Sequence, residues 1–307
     1  MKTRLLTFTA LALLVGALAG CGKSTTTLGP NLDNGVNVEA QAQVSAAIAA
    51  NAGYIDEDAF STSAEADVNA GAGVGLSAIR PLHFWRTITS VDRRIEIRYG
   101  DPDSLGRPTT AVATIHKHLL GQFNIAAGSI DVTDTTRILI HKPLDDRWVR
   151  RLALRRVGID STGTHQSWRV VGVSGVEVKS KDATTNILSL RIQAGTVDTT
   201  VTNPLELHRL RHMLLVSDSQ TMHLTVTTGR NDDVVVLYRH LSRTPFVNNG
   251  DGTYTSEFVL GDFTGLRHVG VNAFTHGTLF DDTAAYDSNA WILGFVVRPG
   301  DDHLGEN

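Results

Sequence analysis

An all-β chain, built as two β-sandwich-like domains behind a disordered N-terminal stalk, is predicted by three observations. Apolar and polar residues alternate with period two in several segments after residue 84, and clusters of Gly, Asp, Asn, Ser and Thr separate those segments. Between residue 21 and residue 80 large apolar side chains are few and scattered among Ala, Asn, Ser, Thr and Gly. The predicted division is residues 1–20 as a leader, 21–80 as a flexible acidic stalk, 81–200 as a middle β-domain and 201–307 as a C-terminal β-domain.

The leader explains a misleading motif. "ALAGCGKSTTT" contains Ala-x-x-x-x-Gly-Lys-Ser, a loose spelling of a phosphate-binding loop. Such a loop needs a buried strand before it and a helix after it, so that backbone N–H groups can surround the phosphates. Here Lys2 and Arg4 precede an uncharged run from Leu5 to Cys21, and Gly29, Pro30 and Asn34 oppose a helix downstream. A basic start, an apolar middle and small residues before a cut site describe a secretory signal peptide.

Within it, Leu18-Ala19-Gly20-Cys21 resembles the lipobox of bacterial lipoproteins. That resemblance implies cleavage before Cys21, a diacylglyceryl group on its sulfur and acylation of the new N-terminus. Several acyl chains anchor stably where one binds marginally. Gly22, standing where an aspartate would retain such proteins in the inner membrane of enteric-type bacteria, implies outer-membrane sorting. Cys21 is the single cysteine, which leaves no intrachain disulfide and no cysteine-based metal site.

The stalk follows from composition. From Gly22 to Arg80 seven acidic residues face Lys23 and Arg80 among Ala, Asn, Ser, Thr and Gly, too little apolar surface to offset ordering entropy. "VEAQAQVSAAIAANAG" is Ala-rich and can be helical, with an apolar face expected to be too slight to dock firmly. Without Lys2 and Arg4, acidic residues exceed basic ones by six, which argues against nucleic-acid binding.

Strands are expected around Ile95, Ile97 and Tyr99, around Leu188, Leu190 and Ile192, around Val234, Val236 and Tyr238, around Tyr254, Phe258 and Leu260, and from Trp291 to Val297. Two segments resist this reading. "KPLDDRWVRRLALRRV" and "NPLELHRLRHMLLV" share a Pro-Leu-acid opening and mix basic with apolar residues, an echo that fits duplication or coincidence equally. Asp251-Gly252 in "NNGDGTYTSEF" favours a tight hairpin turn needing positive φ. With "GLRHVGVNAF", that stretch resembles bacterial immunoglobulin-like and filamin-type repeats, which implies a β-sandwich and, by itself, no activity.

Candidate sites are few. His116 and His118 share a strand face, and His208 and His212 have the i, i+4 spacing of a helical metal pair but lack the glutamate of His-Glu-x-x-His. His276, Asp281, Asp282, Asp287 and Asn289 fall on one expected loop, where oxygen ligands suit calcium or a solvated turn; Asp101 and Asp103 form a smaller set of the same kind. Arg147, Arg150, Arg151, Arg155 and Arg156 are expected on the wet face of a strand, paired with Asp145 and Asp146, or facing an anionic partner. No Gly-x-Ser-x-Gly elbow occurs, and the eight glutamates after residue 21 show no pairing. The expectation is therefore a non-catalytic, membrane-anchored envelope lipoprotein without a cofactor, meeting an envelope protein or glycan. Carbohydrate or calcium binding by the C-terminal loops is the alternative, and a hydrolase with a spatially assembled site the third reading.

Overall fold

A computed structural model describes residues 24–28, 36–52, 79–104, 106–128, 137–158, 167–239 and 242–300. The expected leader with its lipobox-like stretch, and most of the expected stalk, lie outside them. The fold is all-β and is organised as two sheets with two apolar cores.

Four long antiparallel strands form a meander: β2 (Arg80–Tyr99), β3 (Thr110–Gly128), β4 (Arg137–Val157) and β5 (Ser167–Ser180). A short β1 (Ser24–Leu28) pairs in parallel with β2 at the outer edge. The meander curls as a half-barrel, and one face of each strand closes on the first core. That core contains Phe84, Ile97, Ile115, Phe123, Trp148 and Leu152.

Helix α1 (Val36–Ala50) lies against β5 and covers part of this core. Ala40, Val44 and Ile48 are at most 4% exposed. The expectation that its apolar face is too slight to dock firmly is thus corrected. One residue per turn at i, i+4 and i+8, flanked by alanines, lets the helix sit close to the sheet without bulky side chains.

The sheet continues beyond β5 into C-terminal strands. β16 (Ser288–Arg298) pairs β5 on one side and β15 (Gly265–Phe274) on the other; β15 pairs β11 (Val234–Arg239), which pairs β12 (Ser242–Pro245). A second sheet contains β6 (Ile187–Ala194), β7 (Val197–Val201), β10 (Thr221–Thr228), β13 (Val247–Asn248) and β14 (Thr253–Val259). It packs on β11, β15 and β16 to enclose the second core, with Leu190, Leu224, Tyr254, Val271, Trp291 and Phe295. This layer pair is a β-sandwich.

The intervening sheet is apolar on both faces. Along β16, Ala290 and Ile292 enter the first core while Trp291, Leu293, Phe295 and Val297 enter the second. Residue 200 lies inside β7, and β6 pairs with both β7 and β10, so the strands on either side of it share a sheet. The two segments with the Pro-Leu-acid echo fold differently. The first lies within the continuous strand β4, whereas the second is broken into β8 (His208–Arg209), a 3-10 turn (Leu210–His212) and β9 (Leu214–Ser217).

The hairpin between β13 and β14 contains Asp251 and Gly252, with Gly252 at φ +86°. The Asp251 carboxylate accepts hydrogen bonds from the Thr253 N–H at 2.9 Å and its hydroxyl at 2.6 Å. Gly supplies the positive φ while Asp fixes the backbone two residues on.

Candidate functional site

The most structured concavity lies where β5 and β16 part. Their ladder holds from Asn289↔Lys179 to Ile292↔Val176. Beyond it β5 turns to β8, through Gly172 and Val173, and β16 turns to β9, through Phe295 to Arg298. A bulge starts the divergence: β4 and β5 shift register between Arg150 and Leu152, and the Ser174 hydroxyl takes the hydrogen bond of the Arg151 N–H at 2.8 Å. Gly175 is required at this fork. A Cβ there would lie 2.6 Å from a Leu293 methyl and 2.7 Å from the Ile292 carbonyl oxygen.

The fork encloses about 170 Å³. Val173, Ile192, Leu214 and Leu293 supply apolar walls, and Ser174, Asn203, His208 and His212 supply polar ones. His208 and His212 therefore do line one cleft, but from β8 and a 3-10 turn, so a helical i, i+4 pair is not formed. The Ser174 hydroxyl donates to the Gly175 carbonyl at 2.6 Å, which commits its proton to backbone and not to a base. The cleft has the composition of a small binding pocket.

The expected oxygen-rich loop is folded onto its own chain. It contains a short helix, α2 (His276–Phe280), and His276 stacks on Phe280 at 4.5 Å between ring centroids. Asp281 accepts from the Thr283 N–H and hydroxyl at 2.8 and 2.7 Å, which holds its carboxyl below the usual range. Asp287 receives the Thr184 N–H and hydroxyl, and Asn289, fully buried in β16, bonds to Ile187 N–H and the Val178 carbonyl. Asp282 is exposed. The loop's carboxylates are thus turned to different partners. Among the described residues, no group of three or more His, Cys, Asp or Glu is placed to hold a metal ion.

His116 and His118 project from the outer face of β3. His118 Nε2 lies 2.7 Å from Asp145 Oδ1, and burial lowers the His116 pKa against the opposing charge of Glu96. In the neighbouring turn Asp103 accepts the Arg107 N–H at 2.9 Å and its guanidinium at 3.0 Å; Asp101 is exposed.

The arginine run is split by the pleat of β4. Arg147 and Arg155 face solvent, Arg151 and Arg156 are half-buried, and Arg150 is buried. Asp146 is not on the wet face: its side chain is fully buried in the first core, 3.5 Å from an Arg86 nitrogen. The Tyr286 hydroxyl accepts from Arg86 at 2.7 Å, donates to Asp146 at 3.1 Å and adjoins Ser288 Oγ at 2.7 Å. Burial raises the Asp146 pKa, which Arg86 and Tyr286 partly offset, and burial also pushes Tyr286 well up. Nearby, Lys142 Nζ donates to the Gly277 and Asp281 carbonyls at 3.1 and 2.6 Å; burial lowers its pKa to about 8. These long-range contacts tie β2, β4 and the loop before β16 together and escape any reading of local spacing.

Among the described residues, no helix is long and apolar enough to cross a membrane. Comparison with protein-family models, curated proteins and solved structures gives no match to this chain.

Proposed function

We propose that this chain is a non-catalytic bacterial envelope lipoprotein, tethered through acylated Cys21, whose β-structure serves structural or adhesive interaction. The observation that carries the reading is the series Leu18-Ala19-Gly20-Cys21 at the end of a basic-then-apolar leader, in a chain with no other cysteine. The likeness of the Asp251-Gly252 hairpin to immunoglobulin-like repeats bears on the sandwich fold alone, since such sandwiches host many roles. The chemistry of the body agrees with a non-catalytic role. Ser174, Asp146, Asp281 and Asp287 spend their polar groups on holding the fold together.

Metabolic labelling with a clickable fatty acid, followed by membrane fractionation, tests the tether. Wild type should label and sediment with membranes, and Cys21→Ser should do neither. Labelling or membrane retention of Cys21→Ser would overturn the proposal.

A further inference from the structure

One end of the sandwich is built against the rule that its interior is apolar. On β11, Val235 and Leu237 point into the second core, and the next residue on that face is Arg239. On β15, Val269 and Val271 point the same way, and the preceding residue on that face is Arg267. Both arginines thus occupy positions where the core would otherwise gain another apolar layer. They border a cavity of about 210 Å³ whose other walls include Phe258 and Leu260 from one sheet and Phe295 and Val297 from the other.

Both guanidiniums lie over ring faces, and Arg267 Nη1 also donates to the Leu266 carbonyl at 3.2 Å. Arg239 lies 4.3 Å from the Phe258 ring centroid, and Arg267 lies 5.9 Å from that of Phe263, which is 73% exposed at the mouth. Among the described residues neither makes an ion pair with a carboxylate. Arg239 Nε is buried without a hydrogen-bond partner, and burial lowers the Arg239 pKa with no acidic neighbour opposing it. Among the described residues His268 is the remaining titratable wall residue and no acid lines the cavity; Asp262 of the adjoining loop is exposed. Burying charge without a counter-ion is costly, and aromatic stacking offsets only part of that cost. An incoming anion would supply the rest.

We propose that this sandwich mouth binds a small anionic amphiphile: an oxyanion head received by Arg239 and Arg267, on a short hydrocarbon chain that lies over Phe258, Leu260 and Phe295. A guanidinium fork matches a carboxylate or phosphate head, and the volume is below the roughly 300 Å³ at which drug-sized pockets begin, so the chain is short. The site does not depend on the lipid tether.

The test uses the full chain carrying Cys21→Ser, which takes no acyl group, titrated calorimetrically with octanoate, octyl phosphate, octanol and octylammonium. Saturable binding of octanoate or octyl phosphate at one site per chain, with octanol and octylammonium at least tenfold weaker, supports the proposal; the preferred head distinguishes a carboxylate from a phosphate source. Arg239→Met and Arg267→Met should each weaken binding at least tenfold without lowering the thermal midpoint, because each removes a charge that lacks a carboxylate partner. Equal binding of octanol, absence of binding to both anions, or full affinity in Arg239→Met would overturn it. So would sedimentation with phosphatidylglycerol vesicles that excess octanoate fails to reverse, which would make the mouth a membrane-docking surface instead.

Discussion

Removing Arg86 should destabilise the protein more than its single ion pair suggests. The Asp146 side chain is fully buried and Arg86 is 4% exposed, with 3.5 Å between them. Asp146 Oδ1 accepts no hydrogen bond among the described residues, so Arg86 and the Tyr286 hydroxyl carry the whole stabilisation of that carboxylate. Arg86→Met leaves a buried charge facing one phenol. Breaking a buried pair from one side costs about 3–5 kcal/mol, whereas replacing both partners by apolar residues of similar size is often near neutral. Arg86→Met with Asp146→Leu should therefore recover much of the loss, giving a coupling of about 2 kcal/mol or more in urea denaturation at pH 7. The pH dependence has a definite sign. Asp146 already has a folded-state pKa above 3.8, and loss of Arg86 raises it further. The folded state then holds a proton that the unfolded state has released, so Arg86→Met should regain stability relative to wild type as pH falls from 7 toward 3.8. A single variant within about 1 kcal/mol of wild type, or a cycle additive within about 0.5 kcal/mol, would refute the reasoning.

Gly252→Val should lower stability by about 1–3 kcal/mol in the same assay, because φ is +86° while the nearest atoms to an added Cβ, at 3.6 and 3.9 Å, leave room for it. Calcium chloride should leave the thermal midpoint unchanged, since Asp251 already serves Thr253; a raised midpoint with an unaffected Gly252→Val would reverse the turn assignment. Lys142, with its pKa lowered from 10.5 to about 8, releases its proton more readily folded than unfolded. Wild-type stability should accordingly gain a rising contribution between about pH 8 and 10.5 that Lys142→Met lacks. Parallel pH profiles for the two proteins would contradict it.

The all-β class was legible because β6, β11 and β16 keep apolar side chains on at least one face at period two. β4 was not, for a physical reason. Its buried face reads Lys142, Leu144, Asp146, Trp148, Arg150, Leu152 and Leu154, so three charged residues interrupt the apolar row. Val149 and Ala153 on the other face blur it further. Local alternation cannot show that Lys142 will meet carbonyls of residues 277 and 281, or Asp146 an arginine from β2. Helix α1 was foreseen as a helix but not as a packed one, because its contact row of Ala40, Val44 and Ile48 is narrow and its value depends on the sheet beneath it. His208 and His212 were legible as a pair, while the fork that joins them in one cleft depends on the bulge at Ser174. Arg239 and Arg267 read simply as strand residues until the two sheets are seen to close around them.

The shared sheet explains why polar groups inside this fold fall into two kinds. Because β16 serves both cores, its neighbours must satisfy two apolar layers at once, and a charge placed in either is sheltered from water. In the first core that shelter is matched: Arg86 has Asp146 and Tyr286, and Lys142 has two carbonyls. At the sandwich mouth Arg239 and Arg267 have ring faces, one backbone carbonyl at Arg267 and an adjoining cavity, and among the described residues no carboxylate pairs with either. Burial alone does not distinguish a structural charge from a binding one, since it disfavours both Asp146 and Arg239 in their charged forms. The presence of a counter-charge, or of carbonyls that take the donated protons, does. A matched pair needs nothing further to complete it, whereas a half-buried cation beside open apolar volume gains most from an anion arriving with a hydrocarbon chain. The same removal of charge should therefore cost stability at Arg86 and cost affinity at Arg239.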